Sequence, residues 1–126
     1  DGKDICIISS GTMVAKSIDA AEILLKDGIE AEIINMHTIK PLDLNRIKEV
    51  ISSNKPIISV EEHTVVGGMG SAISEVLIKQ KNQTPLKIIG LEDKYGKTAS
   101  YEHLIKIHNL DGLGIAATIK TFIDNL

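Results

Sequence analysis

Four short apolar runs, residues 5–9, 31–36, 56–60 and 86–91, recur along the chain, and between them apolar residues fall at helical intervals. A run of five or six such residues bounded by turn signals fits a strand covered on both faces. After the first run Ser10 and Gly11 end the strand and Thr12 is placed to cap a helix. In that helix Val14, Ile18, Ala21 and Leu25 repeat at i, i+4, i+7 and i+11, while Lys16, Asp19 and Lys26 fall elsewhere on the wheel. Gly28 is a natural stop.

The second run leads through His37 to Pro41, and Asp43 is the expected N-cap of a helix with Leu44, Ile47 and Ile51 inward and Arg46 and Lys48 outward. The third run enters Glu61, Glu62 and His63, then a cluster of Gly67, Gly68 and Gly70, and Ile73, Val76 and Leu77 mark one side of the helix that follows. After the fourth run come a polar loop at 92–98 and a helix that Ser100 can cap, running through Leu104 and Ile105 to about His108. Asp111 opens the last segment, where Ile115, Ile119, Phe122 and Leu126 again have helical spacing. Strands alternating with helices predict an α/β fold of three layers, α/β/α, with a mostly parallel sheet, and residues 1–126 form one domain without linker or repeat.

Composition narrows the function classes. The chain has 126 residues with 43% hydrophobic and only 2% aromatic, so the core is aliphatic and stacking platforms for single-stranded nucleic acid are missing. A net charge of -3 gives no electrostatic footprint for nucleic acid or an anionic membrane. Arg46 is the one arginine, which leaves one candidate for bidentate phosphate recognition. Cys6 is the one cysteine and sits in an apolar run, where a buried, inert thiol in a reducing, cytoplasmic setting is expected. No apolar run reaches the length of about 20 residues that a spanning helix needs.

In such folds ligands approach the carboxyl ends of the strands where strand order reverses. The three glycines ahead of a helix admit two readings, backbone amides cradling an anion or close backbone approach to another surface. The spacing is neither a P-loop nor a dinucleotide fingerprint. Glu61, Glu62 and His63 are adjacent and do not share a face, so a catalytic dyad is disfavoured against one buried acid bonding backbone amides and two groups facing solvent or a partner. His37 stands at a strand end, where a donor could reach a substrate or simply be solvated. His37, His63, His103 and His108 lack zinc-like spacing, no Gly-x-Ser-x-Gly occurs, and Ser9 and Ser10 replace the acids that a two-component receiver needs at the end of its first strand. Neither a catalytic group nor a metal site is assigned.

The run from Asn35 through His37-Thr38-Ile39-Lys40-Pro41 to Asp43, then Val60-Glu61-Glu62-His63 with Gly67-Gly68-Met69-Gly70-Ser71, then Gly90-Leu91 and Tyr95-Gly96, resembles the C-terminal domain of transketolase over essentially the whole chain. Related domains close deoxyxylulose-phosphate synthases and the β subunits of 2-oxo acid dehydrogenases. The resemblance implies four parallel strands and one antiparallel edge strand. That last strand is expected to precede Asp1, making the chain a fragment of a longer protein. It also implies a full enzyme of the pentose phosphate pathway that moves a two-carbon ketol unit between sugar phosphates, with thiamine diphosphate and magnesium held by other domains. Partners would be preceding thiamine-binding domains or a separate subunit, in a homodimer or heterotetramer. This chain alone would be inactive. His37 stands where deoxyxylulose-phosphate synthases typically carry arginine, which favours transketolase and makes His37 a candidate substrate contact. Glu61, Glu62, His63, Gly67, Gly68, Gly70 and Ser71 become candidate interface residues. A stand-alone flavodoxin-like module holding a small anion at residues 67–71 is the alternative from another class.

Overall fold

Every residue of β1 (Ile5–Ser9) is buried, and its two faces feed two separate cores. Ile5 and Ile7 point to one side and Cys6 and Ile8 to the other, as the two-residue period of a strand requires. The computed structural model describes residues 2–37, 41–64, 67–91 and 101–126, apart from the side chains of His63, Thr64 and Tyr101. The expectations for Thr38 to Lys40, for the loop at 92–98 with Tyr95 and Gly96, and for the Ser100 cap lie outside the described residues.

In chain order β1 is followed by α1 (Met13–Lys26), β2 (Ala31–Asn35), α2 (Leu44–Ser52), β3 (Ile57–Thr64), α3 (Met69–Ile78), β4 (Leu86–Leu91), α4 (Tyr101–Ile107) and α5 (Gly112–Asp124). The described strands form a sheet of order β2-β1-β3-β4, paired in parallel throughout. One core joins Met13, Ala20 and Leu24 of α1 with Ile105 of α4 and Ile115, Ala116 and Ile119 of α5. The other joins Ile47, Val50 and Ile51 of α2 with Met69, Ile73 and Leu77 of α3. The result is the expected three-layer α/β/α arrangement.

Asp43 caps α2 as expected, accepting a hydrogen bond from the Arg46 N–H at 3.1 Å, and Asp111 caps α5 by accepting from the Gly114 N–H at 2.8 Å. Three apolar side-chain assignments differ from the sequence reading. The sheet-facing stripe of α1 is Met13, Ser17, Ala20 and Leu24, one residue out of phase with the expected stripe, and Ile18 and Leu25 are 45% and 60% exposed. Leu44 is likewise 49% exposed, because α2 turns Ile47, Val50 and Ile51 inward. Leu126 lies beyond α5 and is exposed.

Cys6 is fully buried, and burial pushes its thiol up to about 12, with the charge of Glu32 acting in the same direction. Glu32, opposite Cys6 in the sheet register, accepts hydrogen bonds from Lys55 Nζ at 2.7 Å and Arg46 Nη2 at 2.9 Å. Lys55 also donates to the carbonyl of Gly2. The Lys55 hydrogen bond, helped by the charges of Lys55 and Arg46, holds the Glu32 carboxyl below its ordinary value of 4.5. The unfolded chain therefore takes up more protons than the folded one between the two values, so this contribution to stability is complete above pH 4.5 and is lost as pH falls through the folded value. Glu32→Gln is expected to flatten the acid limb of a plot of Tm against pH. An acid limb identical to that of the native chain would show that the pair contributes nothing.

Candidate functional site

Strand order reverses between β1 and β3: α1 leaves the end of β1 toward one face and α3 leaves the end of β3 toward the other. This is where an α/β sheet of this type opens a crevice for ligands. The register joins Ser9, the last residue of β1, to Val60, yet β3 continues to Thr64. Over that extension the β4 pairing is irregular and resumes at Thr64 opposite Leu91. The sequence reading ended this strand at Val60 because two acids and a histidine follow.

The two acids diverge. Glu61 is 1% exposed and points to the α3 side, where its carboxylate accepts hydrogen bonds from the Met69 N–H at 2.7 Å and the Gly70 N–H at 3.0 Å. It thus occupies the positive end of the helix from inside the fold. Glu62 is exposed, and its Oε2 accepts a hydrogen bond from Thr12 Oγ1 at 2.6 Å, at the start of α1. Consecutive carboxylates of one strand therefore reach the beginnings of both helices that flank the crevice. Thr12 stands at the N-cap position of α1 but makes no capping bond with its side chain, so its hydroxyl serves the neighbouring strand instead.

The glycines follow from this arrangement. A Cβ on Gly68, the N-cap of α3, would lie 2.5 Å from Glu61 Oε1, and one on Gly70 would lie 2.6 Å from both Ser59 Oγ and Ile88 Cγ2. Gly67 has φ 77°, and its N–H donates to Ser71 Oγ at 3.0 Å. The close approaches at Gly68 and Gly70 are to groups of the domain itself, Glu61, Ser59 and Ile88. The amides of Met69 and Gly70 that an anion would need are engaged by Glu61, and that of Gly67 by Ser71.

The structure brings Glu61, Gly68 and Gly70 together inside the corner and leaves Glu62 and Gly67 on its surface, with Ser71 partly buried. His63 lies on the β3 extension, and its side chain is outside the described residues. His37 is exposed just past the end of β2. The loop from Ser10 to Thr12 qualifies for the site by its position after β1, but the bond of Thr12 to Glu62, across 50 positions, leaves no local signal in the sequence. Among the described residues no group of three or more His, Cys, Asp or Glu side chains could hold a metal ion. A groove of about 430 Å³ lies between β4 and α5, lined by Lys87, Asn109, Thr118 and Phe122 among others, and none of the corner residues lines it.

Comparison with known proteins identifies the family. The family described as "Transketolase, C-terminal domain" matches residues 1–115. The chain belongs to that family. It is 39% identical over 120 residues to a putative transketolase C-terminal section of Methanocaldococcus jannaschii, covering 94% of this chain and 37% of that protein. It is 40% identical over 119 residues to a 1-deoxy-D-xylulose-5-phosphate synthase of Caldanaerobacter subterraneus subsp. tengcongensis, covering 94% of this chain and 19% of that enzyme. Among solved structures, a split-gene transketolase described as an inactive β4 tetramer superimposes with TM-score 0.88 at 31% identity, over 96% of this chain and 39% of that one. A transketolase of Pichia stipitis shares the fold, with TM-score 0.66 at 21% identity over 94% of this chain and 16% of that one. A transketolase C-terminal domain of this length thus spans between a fifth and two fifths of the curated relatives it matches.

Proposed function

We propose that this domain is the assembly element of a transketolase, the full enzyme transferring a two-carbon ketol unit from a ketose phosphate to an aldose phosphate. The observation that carries the reading is the Glu61 carboxylate seated on the Met69 and Gly70 amides, at the place where a ligand-binding member of this fold class would hold an anion. With that place filled from within, the start of α3 offers surface and, among the described residues, no open anion cradle at Met69 and Gly70.

Members of this family of enzymes depend on thiamine diphosphate and a divalent metal. The described residues do not fit that group: they hold no metal-ligand cluster, and the amides best placed for a diphosphate are engaged by Glu61. On this reading the cofactor chemistry belongs to thiamine-binding domains or a partner subunit, in a dimeric or tetrameric enzyme in the cytoplasm. Glu62, His63, Gly67 and Ser71 meet those partners, while Glu61, Gly68 and Gly70 shape the corner from inside. The exposed His37 borders the substrate entrance.

The test is reconstitution. With thiamine diphosphate, magnesium, a ketose phosphate donor and an aldose phosphate acceptor, this chain alone should give no ketol transfer. Addition of the thiamine-binding section should restore it. Transfer by this chain alone would overturn the division of labour. In the reconstituted enzyme His37→Ala should raise KM for the phosphorylated substrates with little change in kcat, and unchanged kinetics would remove His37 from the entrance. The 40% identity to a deoxyxylulose-phosphate synthase supports a second reading, which formation of 1-deoxyxylulose 5-phosphate by the reconstituted enzyme in place of ketol transfer would establish.

A further inference from the structure

The β3 extension leaves β1 behind at Val60 and is irregularly paired to β4 until Thr64. A strand supported on one side has half of its usual ladder, so side chains must fix its course. Glu61 supplies one attachment by bonding α3. Glu62 supplies another, its carboxylate accepting from the Thr12 hydroxyl at 2.6 Å. Thr12 has helical backbone angles, φ -64° and ψ -20°, and makes no capping bond with its side chain. Losing its hydroxyl therefore costs α1 no cap, and the effect of that loss falls on the strand.

We propose that Thr12 is the positioning residue of the corner: by holding the Glu62 carboxylate it fixes the β3 extension, and with it the surface at residues 62–64 that meets the thiamine-binding section. The inference rests on the docking reading of the corner given above. It differs from the role of Glu61, which anchors α3 within the domain. A partner surface that is already ordered associates without an ordering cost, which is how a hydroxyl outside the contact could govern affinity.

The experiment has two measurements. Amide hydrogen exchange in this chain reads the order of Glu62 and His63, with Met69 and Gly70 as internal controls, and a binding titration reads association with the thiamine-binding section. Thr12→Val, which keeps the shape and removes the hydroxyl, should speed exchange at Glu62 and His63 by about tenfold and weaken association by a similar factor, the size expected for one charge-assisted hydrogen bond. Exchange at Met69 and Gly70 should not change. Thr12→Ser should restore both measurements, which a merely structural effect of the side-chain volume would not produce. In a Glu62→Ala background Thr12→Val should have no further effect, because the two groups act as a pair. Native-like exchange or affinity in Thr12→Val, failure of serine to rescue, or additive losses in the double variant would each overturn the proposal. Association that ignores Thr12 overturns the positioning role alone, whereas a native chain that does not associate overturns the docking reading and takes the positioning role with it.

Discussion

Glu61→Ala should destabilise the domain by about 4 kcal/mol, since it strips two buried backbone donors at the start of α3 of charge-assisted bonds. For a chain of this length that corresponds to a fall in Tm of roughly 15 °C, measurable by circular dichroism. Glu61→Gln retains the shape and one good acceptor, so it should lose roughly half as much. The same variants test the fate of the anion site. With the carboxylate gone, the Met69 and Gly70 amides face a space that an oxyanion can enter, so sulfate should raise the Tm of Glu61→Ala more than that of the native chain. A Tm within about 3 °C of native would mean that the carboxylate is not the anchor of this corner, because loss of even one such bond should exceed that shift.

The second large effect separates two adjacent leucines. Leu24 is fully buried between α1 and the sheet, and Leu24→Ala should cost about 3 kcal/mol through lost burial and the cavity left behind. Leu25 is 60% exposed, and Leu25→Ala should cost less than about 0.5 kcal/mol in this chain. Denaturant unfolding of the two variants decides which stripe of α1 faces the sheet. Equal costs would contradict the phase described here.

That phase is instructive about what sequence could reveal. Val14, Ile18, Ala21 and Leu25 make a cleaner apolar repeat than Met13, Ser17, Ala20 and Leu24, because Ser17 interrupts the second set. Ser17 is nevertheless buried, and its hydroxyl has no hydrogen-bond partner among the described residues. A periodicity argument scores hydrophobicity and cannot see that a small polar residue is tolerated against the sheet. The strands were easier: β1 and β4 begin and end where the apolar runs do, and β2 stops one residue short of its expected end.

β3 was harder for a physical reason. Glu61 and Glu62 read as loop residues because charges are excluded from covered strands; the long-range bonds of Glu61 to the start of α3 make its burial acceptable, while Glu62 stays exposed and accepts from Thr12. That one acid of the trio would bond backbone amides was legible. Which acid it was, and that its neighbour would turn to the opposite helix, depended on the register of β3 against β1. The glycines were visible as a cluster, but their separate reasons, a left-handed turn at Gly67 and side-chain and sheet contacts at Gly68 and Gly70, needed coordinates.

Cys6 gives the molecule a built-in clock. The thiol sits in an inner strand of the sheet, fully buried and with its acidity suppressed, so a thiol reagent in solution reaches it only when the sheet around β1 opens. With a reagent that reacts faster than the sheet recloses, the labelling rate counts those openings one by one; with a slower reagent it reports the fraction of molecules open at any moment.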